Sequence, residues 1–195
     1  MAKSPAGRYL IFRSHGRKIM ISFRNFTAFT LALMLALFTS ATAWAAPGAG
    51  DRAPDRIGKT VQGETLKLAN FAGKVVVLSF WAAACERCLR ELSILESLQK
   101  VGKGRVQVIA INTDTKSQFR DAAGQLSTLT ATLTHDTDEK AHMAYGVRGM
   151  PHLVIIGRDG KIVEVHRGYS EAALAEIIND INFAVSAPAP VPVQN

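Results

Sequence analysis

The chain has 195 residues and a formal net charge of +7, enough for one ordinary domain with extensions. Six of its 23 lysines and arginines (Lys3, Arg8, Arg13, Arg17, Lys18 and Arg24) and none of its 16 acidic residues lie in the first 45 positions, so the remainder carries 17 basic against 16 acidic side chains. The basicity belongs to the N-terminus, and no basic stripe is left on which nucleic-acid binding could rest.

Behind the basic start comes an apolar run, densest at Leu31–Phe38, which closes on Ala43-Trp44-Ala45 ahead of Ala46-Pro47. A basic n-region, a short apolar h-region and an A-x-A site predict a secretory signal peptide over 1–45, cut after Ala45. The apolar stretch falls short of the ~18–20 residues a spanning helix wants; an uncleaved anchor is the alternative, and Met20 is a second candidate start. The expected location is the periplasm, with membrane contact only through this segment.

Residues 46–56, rich in Ala, Gly, Pro and Asp, read as an exposed lead-in to a domain over 57–185. Ile57–Leu68, broken by Gln62-Gly63, predicts a β-hairpin. Val75–Phe80 is a β-branched apolar run, as expected of a buried strand. Leu92, Leu95, Leu98 and Val101 then recur at helical spacing until Gly102. Val106–Ile111 is a second buried strand, with Asn112-Thr113-Asp114 as turn and cap. Helices are predicted over Ser117–Leu126 and Asp138–Tyr145. Leu153–Ile156 and Ile162–His166 flank an Asp159-Gly160 turn as a hairpin, and Ser170-Glu171 opens a last helix with Leu174, Ile177, Ile178 and Ile181 on one face. Residues 186–195 alternate proline with small residues and should form a disordered tail. The order β-α-β-α-α-β-β-α behind an N-terminal hairpin predicts a three-layer α/β domain with a mixed sheet.

The two cysteines, Cys85 and Cys88, stand three apart where a strand gives way to a helix. One close pair in an exported chain points to redox chemistry or metal rather than to a disulfide framework. At a helix start, unpaired backbone N–H groups and the helix dipole favour a thiolate, the nucleophilic form; Arg87 adds a positive charge and Glu86 opposes it. Cys88 lies one turn on, so Cys85 is expected to attack or be attacked, and Cys88 to resolve the mixed disulfide. Glu91, three after Cys88 and four before Leu95, shares the stripe that faces the core. A carboxyl buried there would keep its proton near neutral pH and could trade it with the Cys88 sulfur; the alternative is an exposed glutamate paired with a cation. Pro151 stands at the first residue of a predicted strand, where proline is permitted.

Together these motifs resemble the thioredoxin superfamily, and within it the exported TlpA/ResA-type thiol–disulfide oxidoreductases linked to cytochrome c maturation. The resemblance rests on Gly73-Lys74 through Ala82, Cys85-Glu86-Arg87-Cys88 through Leu92, Tyr145 through Pro151, and Val154 through Lys161, and covers about residues 52–180. It implies a thioredoxin-like fold and a reductase of protein disulfides whose redox-active group is a Cys85–Cys88 disulfide, without other cofactor or metal. A membrane electron-donor thiol protein would recharge it, and a monomer is expected. Pro151 is implied as a cis-proline lying against the disulfide and binding an extended substrate backbone, with Met150 and Trp81 as further substrate contacts; packing beside the active-site loop is the alternative for Trp81. Glu91 matches the family's acidic residue after the motif. Ser79 stands where thioredoxins proper carry a buried aspartate, so Glu91 is left as the acid–base candidate. Ala84, Arg87 and Met150 replace the family's usual aromatic residue, proline and threonine around the active sulfur.

Three other functions would leave different signatures. A DsbA-like oxidant would carry a helical insertion, for which there is little room between Asn112 and Asp138. A thiol peroxidase would have Thr or Ser three before the reactive cysteine, where this chain has Ala82. A copper carrier on the same fold would use CxxxC and a distant histidine; His135, His142, His152 and His166 are available, but the cysteine spacing is one residue short.

Overall fold

A computed structural model describes residues 11–14, 17–20 and 45–188, in two units, 1–44 and 45–195. In the first, strands β1 (Ile11–Ser14) and β2 (Arg17–Met20) pair antiparallel. The apolar run at 31–38, the small residues at 43–44 and residues 189–195 of the proline-rich tail lie outside the described residues. Among those described, no helix is long and apolar enough to cross a membrane.

The second unit runs through β3 (Arg56–Thr60), β4 (Thr65–Lys67), a 3₁₀ turn (Leu68–Phe71), β5 (Val75–Trp81), α1 (Glu86–Val101), β6 (Val106–Asn112), α2 (Lys116–Gln125), β7 (Thr132–His135), α3 (Lys140–Ala144), β8 (His152–Ile156), β9 (Ile162–Arg167) and α4 (Glu171–Ser186). Its seven strands form one mixed sheet in the order β4-β3-β7-β6-β5-β8-β9. The strands β5, β6 and β7 are parallel, and β3, β4, β8 and β9 join antiparallel at the flanks.

Every residue of β5 is buried, because apolar layers cover both of its faces. On one face Val75, Val77 and Trp81 pack with Leu92 and Leu95 of α1, Ala122 of α2, and Ile177 and Ile181 of α4. On the other, Val76, Leu78 and Phe80 meet Ala141 and Tyr145. This is the expected three-layer thioredoxin-like architecture with a mixed central sheet, and the β3–β4 hairpin is the expected N-terminal extension.

One strand, β7, was not expected. Thr132-Leu133-Thr134-His135 has no apolar run, yet it lies between β6 and β3. Thr134 and His135 are buried, and Thr134 finds a partner there: its Oγ1 donates to the Ile57 carbonyl at 2.7 Å. Beside it β3 crosses so closely that a Cβ at Gly58 would stand 2.9 Å from the His135 carbonyl oxygen, and Gly58 has φ +89°, open to glycine at little steric cost. At the other flank the lead-in is largely exposed but tied down: Gly50 N donates to Ile162 O, Ile162 N to Asp51 O and Ala53 N to Gly160 O, and Ala53 is buried. The helical stripe of α1 stops at Leu98; Val101, expected on it, is 75% exposed.

Candidate active site

The carboxyl ends of parallel strands are where an α/β sheet builds sites, and β5 ends there at Trp81. Three alanines lead from it to Cys85, the N-cap of α1, whose Sγ accepts from Cys88 N at 3.2 Å. Cys85 and Cys88 form a disulfide with Cα atoms 5.2 Å apart. The two sulfurs are not equivalent: Cys85 is half-buried, whereas Cys88 is 0% exposed within the first core cluster. Only Cys85 is open to an incoming sulfur.

Glu91 lies one turn below Cys88 and is 2% exposed. Its Oε1 accepts from Ser79 Oγ at 2.8 Å, and Oε2 has no partner among the described residues. Burial pushes its carboxyl up to about 7, against a smaller lowering by the Ser79 hydroxyl. Of the two readings of Glu91, the buried one holds for the side chain's position. Ser79 is engaged with this carboxyl rather than standing idle.

The Met150–Pro151 peptide bond is cis, and Pro151 is buried just before β8, its carbonyl accepting from Gly168 N at 2.9 Å. Met150 is half-buried and packs, as Cys85 does, against the first core cluster. Trp81 departs from the expected substrate contact. It is 0% exposed, because as the last residue of β5 it points into the layer beneath α1, and no edge faces solvent; packing is its role.

The end of β6, expected as a turn and cap, also braces the site. Asp114 Oδ2 accepts from Ala83 N at 2.6 Å and from Asn112 Nδ2 at 2.9 Å. Thr113 N donates to Trp81 O at 3.2 Å, and its hydroxyl to Met150 Sδ at 3.5 Å. Residues 112–114 thus tie both the loop before Cys85 and the loop before Pro151. The signal was present as an Asx pair directly after a buried strand, but it named no distant partner.

The histidines are dispersed. His135 stacks on Phe119 and meets Asp114 O at 2.6 Å, His166 pairs with Asp180 at 2.9 Å, and His152 is buried edge-on to Phe80. Among the described residues no three His, Cys, Asp or Glu side chains converge as a metal-holding group.

Comparison with known proteins adds to this geometry. The redoxin family model matches residues 48–181. The chain is 33% identical over 125 residues to the thiol–disulfide oxidoreductase ResA of Halalkalibacterium halodurans, covering 62% of this chain and 69% of that protein. It is also 33% identical over 121 residues to the thioredoxin-like protein YneN of Bacillus subtilis, covering 61% and 71%. Among solved structures, a Chlorobium tepidum protein assigned as the thiol:disulfide interchange protein DsbE superposes with a TM-score of 0.65 at 31% identity, over 72% of this chain and 100% of that one.

Proposed function

The chain belongs to the redoxin family, and from that premise we propose that it is an exported reductase of protein disulfides. Its class is thiol–disulfide oxidoreductase. The observation that carries the reading is the graded burial of one short segment: Cys85 half-buried at a helix start, Cys88 sealed one turn on, and the Glu91 carboxyl sealed below it.

In the reduced protein the Cys85 thiolate, favoured by the N-terminus of α1, attacks a client disulfide. The client S–S bond breaks, one client sulfur leaves as thiolate, and a mixed disulfide forms. The Cys88 thiol then passes its proton to Glu91 Oε2, and the Cys88 thiolate attacks the Cys85 sulfur. The mixed disulfide breaks, the second client sulfur leaves and takes up a proton, and Cys85–Cys88 is oxidised. Two electrons and one proton have passed to the client, whose sulfurs leave as one thiolate and one thiol. A membrane thiol donor restores the dithiol by the same exchange in reverse. Met150, which packs against the same core cluster as Cys85, and Pro151 next to it in sequence would hold the client's extended backbone.

The clients are exported proteins of the cytochrome c maturation type, a reading supported by the basic and apolar N-terminal segment and by relatives named ResA. The chain acts as a monomer. The test is a Cys88→Ala trap in the native compartment, which accumulates a mixed disulfide through Cys85 whose partner is identified by mass. A reduction potential near or below about −270 mV supports reductase action, and one near about −120 mV overturns it in favour of an oxidant.

A further inference from the structure

Successive side chains of a strand alternate between its faces, and on β5 Val77, Ser79 and Trp81 look toward α1 while Leu78 and Phe80 look away. Ser79 is thus a hydroxyl within an otherwise apolar, wholly buried strand. It meets Glu91 from across the layer, 12 positions away in sequence, with 2.8 Å between Oγ and Oε1. Glu91 Oε2 has no other partner among the described residues, so the carboxylate is gripped on one side only.

We propose that Ser79 is a positioning residue for the proton exchange at Cys88: by engaging Oε1 it fixes the plane of the Glu91 carboxyl and reserves Oε2 as the oxygen that takes the Cys88 proton. This rests on the acid–base role given to Glu91 above. The surrounding elements leave Ser79 little competition. On this side of the sheet β6 presents Val108 and Ala110, β8 Leu153 and Ile155, and α4 Ile177, Ile181 and Ala184, none of them titratable. On α1 the titratable neighbour is Cys88, while Arg87 and Arg90 are exposed. His152 lies on the opposite face against Phe80. Two influences act on the Glu91 proton: burial, which disfavours the charged form, and the Ser79 hydroxyl, which favours it.

The experiment follows reduction of dithiobis(nitrobenzoate) by the reduced full chain. The first nitrothiobenzoate released reports attack by Cys85, and the second reports resolution by Cys88. The rate of the second release rises with pH along an inflection set by Glu91, which Glu91→Gln abolishes. Ser79→Ala moves that inflection upward by about one pH unit, as expected when a hydrogen bond to a carboxylate is lost. Ser79→Thr, which keeps the hydroxyl, leaves it in place, and the first release is unchanged in both. The inference is overturned if the Ser79→Ala inflection coincides with the unsubstituted one, or if Ser79→Thr moves as far as Ser79→Ala. An inflection that survives Glu91→Gln sinks the acid–base reading itself, and the role of Ser79 with it.

Discussion

Ala83 N donates to Asp114 Oδ2 at 2.6 Å, joining the loop before Cys85 to the turn after β6 across 31 positions of sequence. The same carboxylate oxygen accepts from Asn112 Nδ2, and Asn112 is fully buried. The loop that aims the reactive sulfur is thereby fastened to the end of a central strand.

Asp114→Ala removes both bonds and leaves two donors without a partner. Hydrogen bonds to charged groups contribute about 1.5–3 kcal/mol each, so the oxidised protein should lose roughly 3–6 kcal/mol in urea unfolding. Asp114→Asn, which retains an acceptor for Ala83 N, should lose about half as much. Equal losses in the two variants would show that the contact to Ala83 is not what matters.

The unequal burial of the two sulfurs predicts unequal chemistry. On brief exposure of the reduced protein to iodoacetamide, Cys85 should be alkylated at least tenfold faster than the fully buried Cys88, since reactivity follows thiolate character and access. Peptide mass spectrometry after quenching reads the ratio directly, and comparable labelling of both would contradict the assigned roles.

Glu96 holds the approach to β7. Its carboxylate accepts from Thr130 N, Thr130 Oγ1 and Ala131 N, and Lys100 lies 3.1 Å away. Burial alone would raise its pKa, but the bonds from Thr130, Lys100 and Ala131 hold the carboxyl below the ordinary carboxylate range. Its contribution is therefore present above that range and lost as the pH falls through it. Glu96→Ala should cost about 3 kcal/mol near neutral pH, and less in acid, where the native side chain has itself been protonated.

Where a side chain's partner is local, the sequence carries the information. The strand Val75–Trp81, the helix behind Cys88 and the reach between two cysteines one turn apart were all legible, because period, apolar run and spacing are properties of neighbours. The strand β7 was not, because Thr132–His135 has no apolar signature and is buried only through partners on β3 and β6. The grip of Ser79 on Glu91 was half legible: alternation along β5 puts Ser79 on the face of Val77 and Trp81, and helical spacing puts Glu91 on the core side of α1. Nothing local says that the two stripes meet at that height. Trp81 shows the converse, since nearness to Cys85 in sequence suggested a substrate contact that the direction of its side chain denies.

Two buried groups should give the fold opposing responses to pH. Glu91 keeps its proton up to about 7 in the folded protein, against 4.5 as its ordinary value. The unfolded chain releases that proton first, so this residue lowers stability as the pH rises from 4.5 to 7. His152 is held neutral down to about 4, chiefly by burial and then by the charges of Arg167 and His142, against an ordinary 6.5. The unfolded chain takes up that proton first, so this residue lowers stability as the pH falls from 6.5 to 4. Between 4.5 and 6.5 the two slopes oppose each other, and the unsubstituted oxidised protein should show a shallow profile there. Glu91→Gln should uncover a stability that climbs with pH through this interval, and His152→Gln one that declines. Urea unfolding of the three oxidised proteins at half-unit pH steps measures all three profiles, with neither cysteine titrating because both are in the disulfide. If Glu91→Gln left the profile as shallow as before, the burial of one of these groups would not be governing its proton.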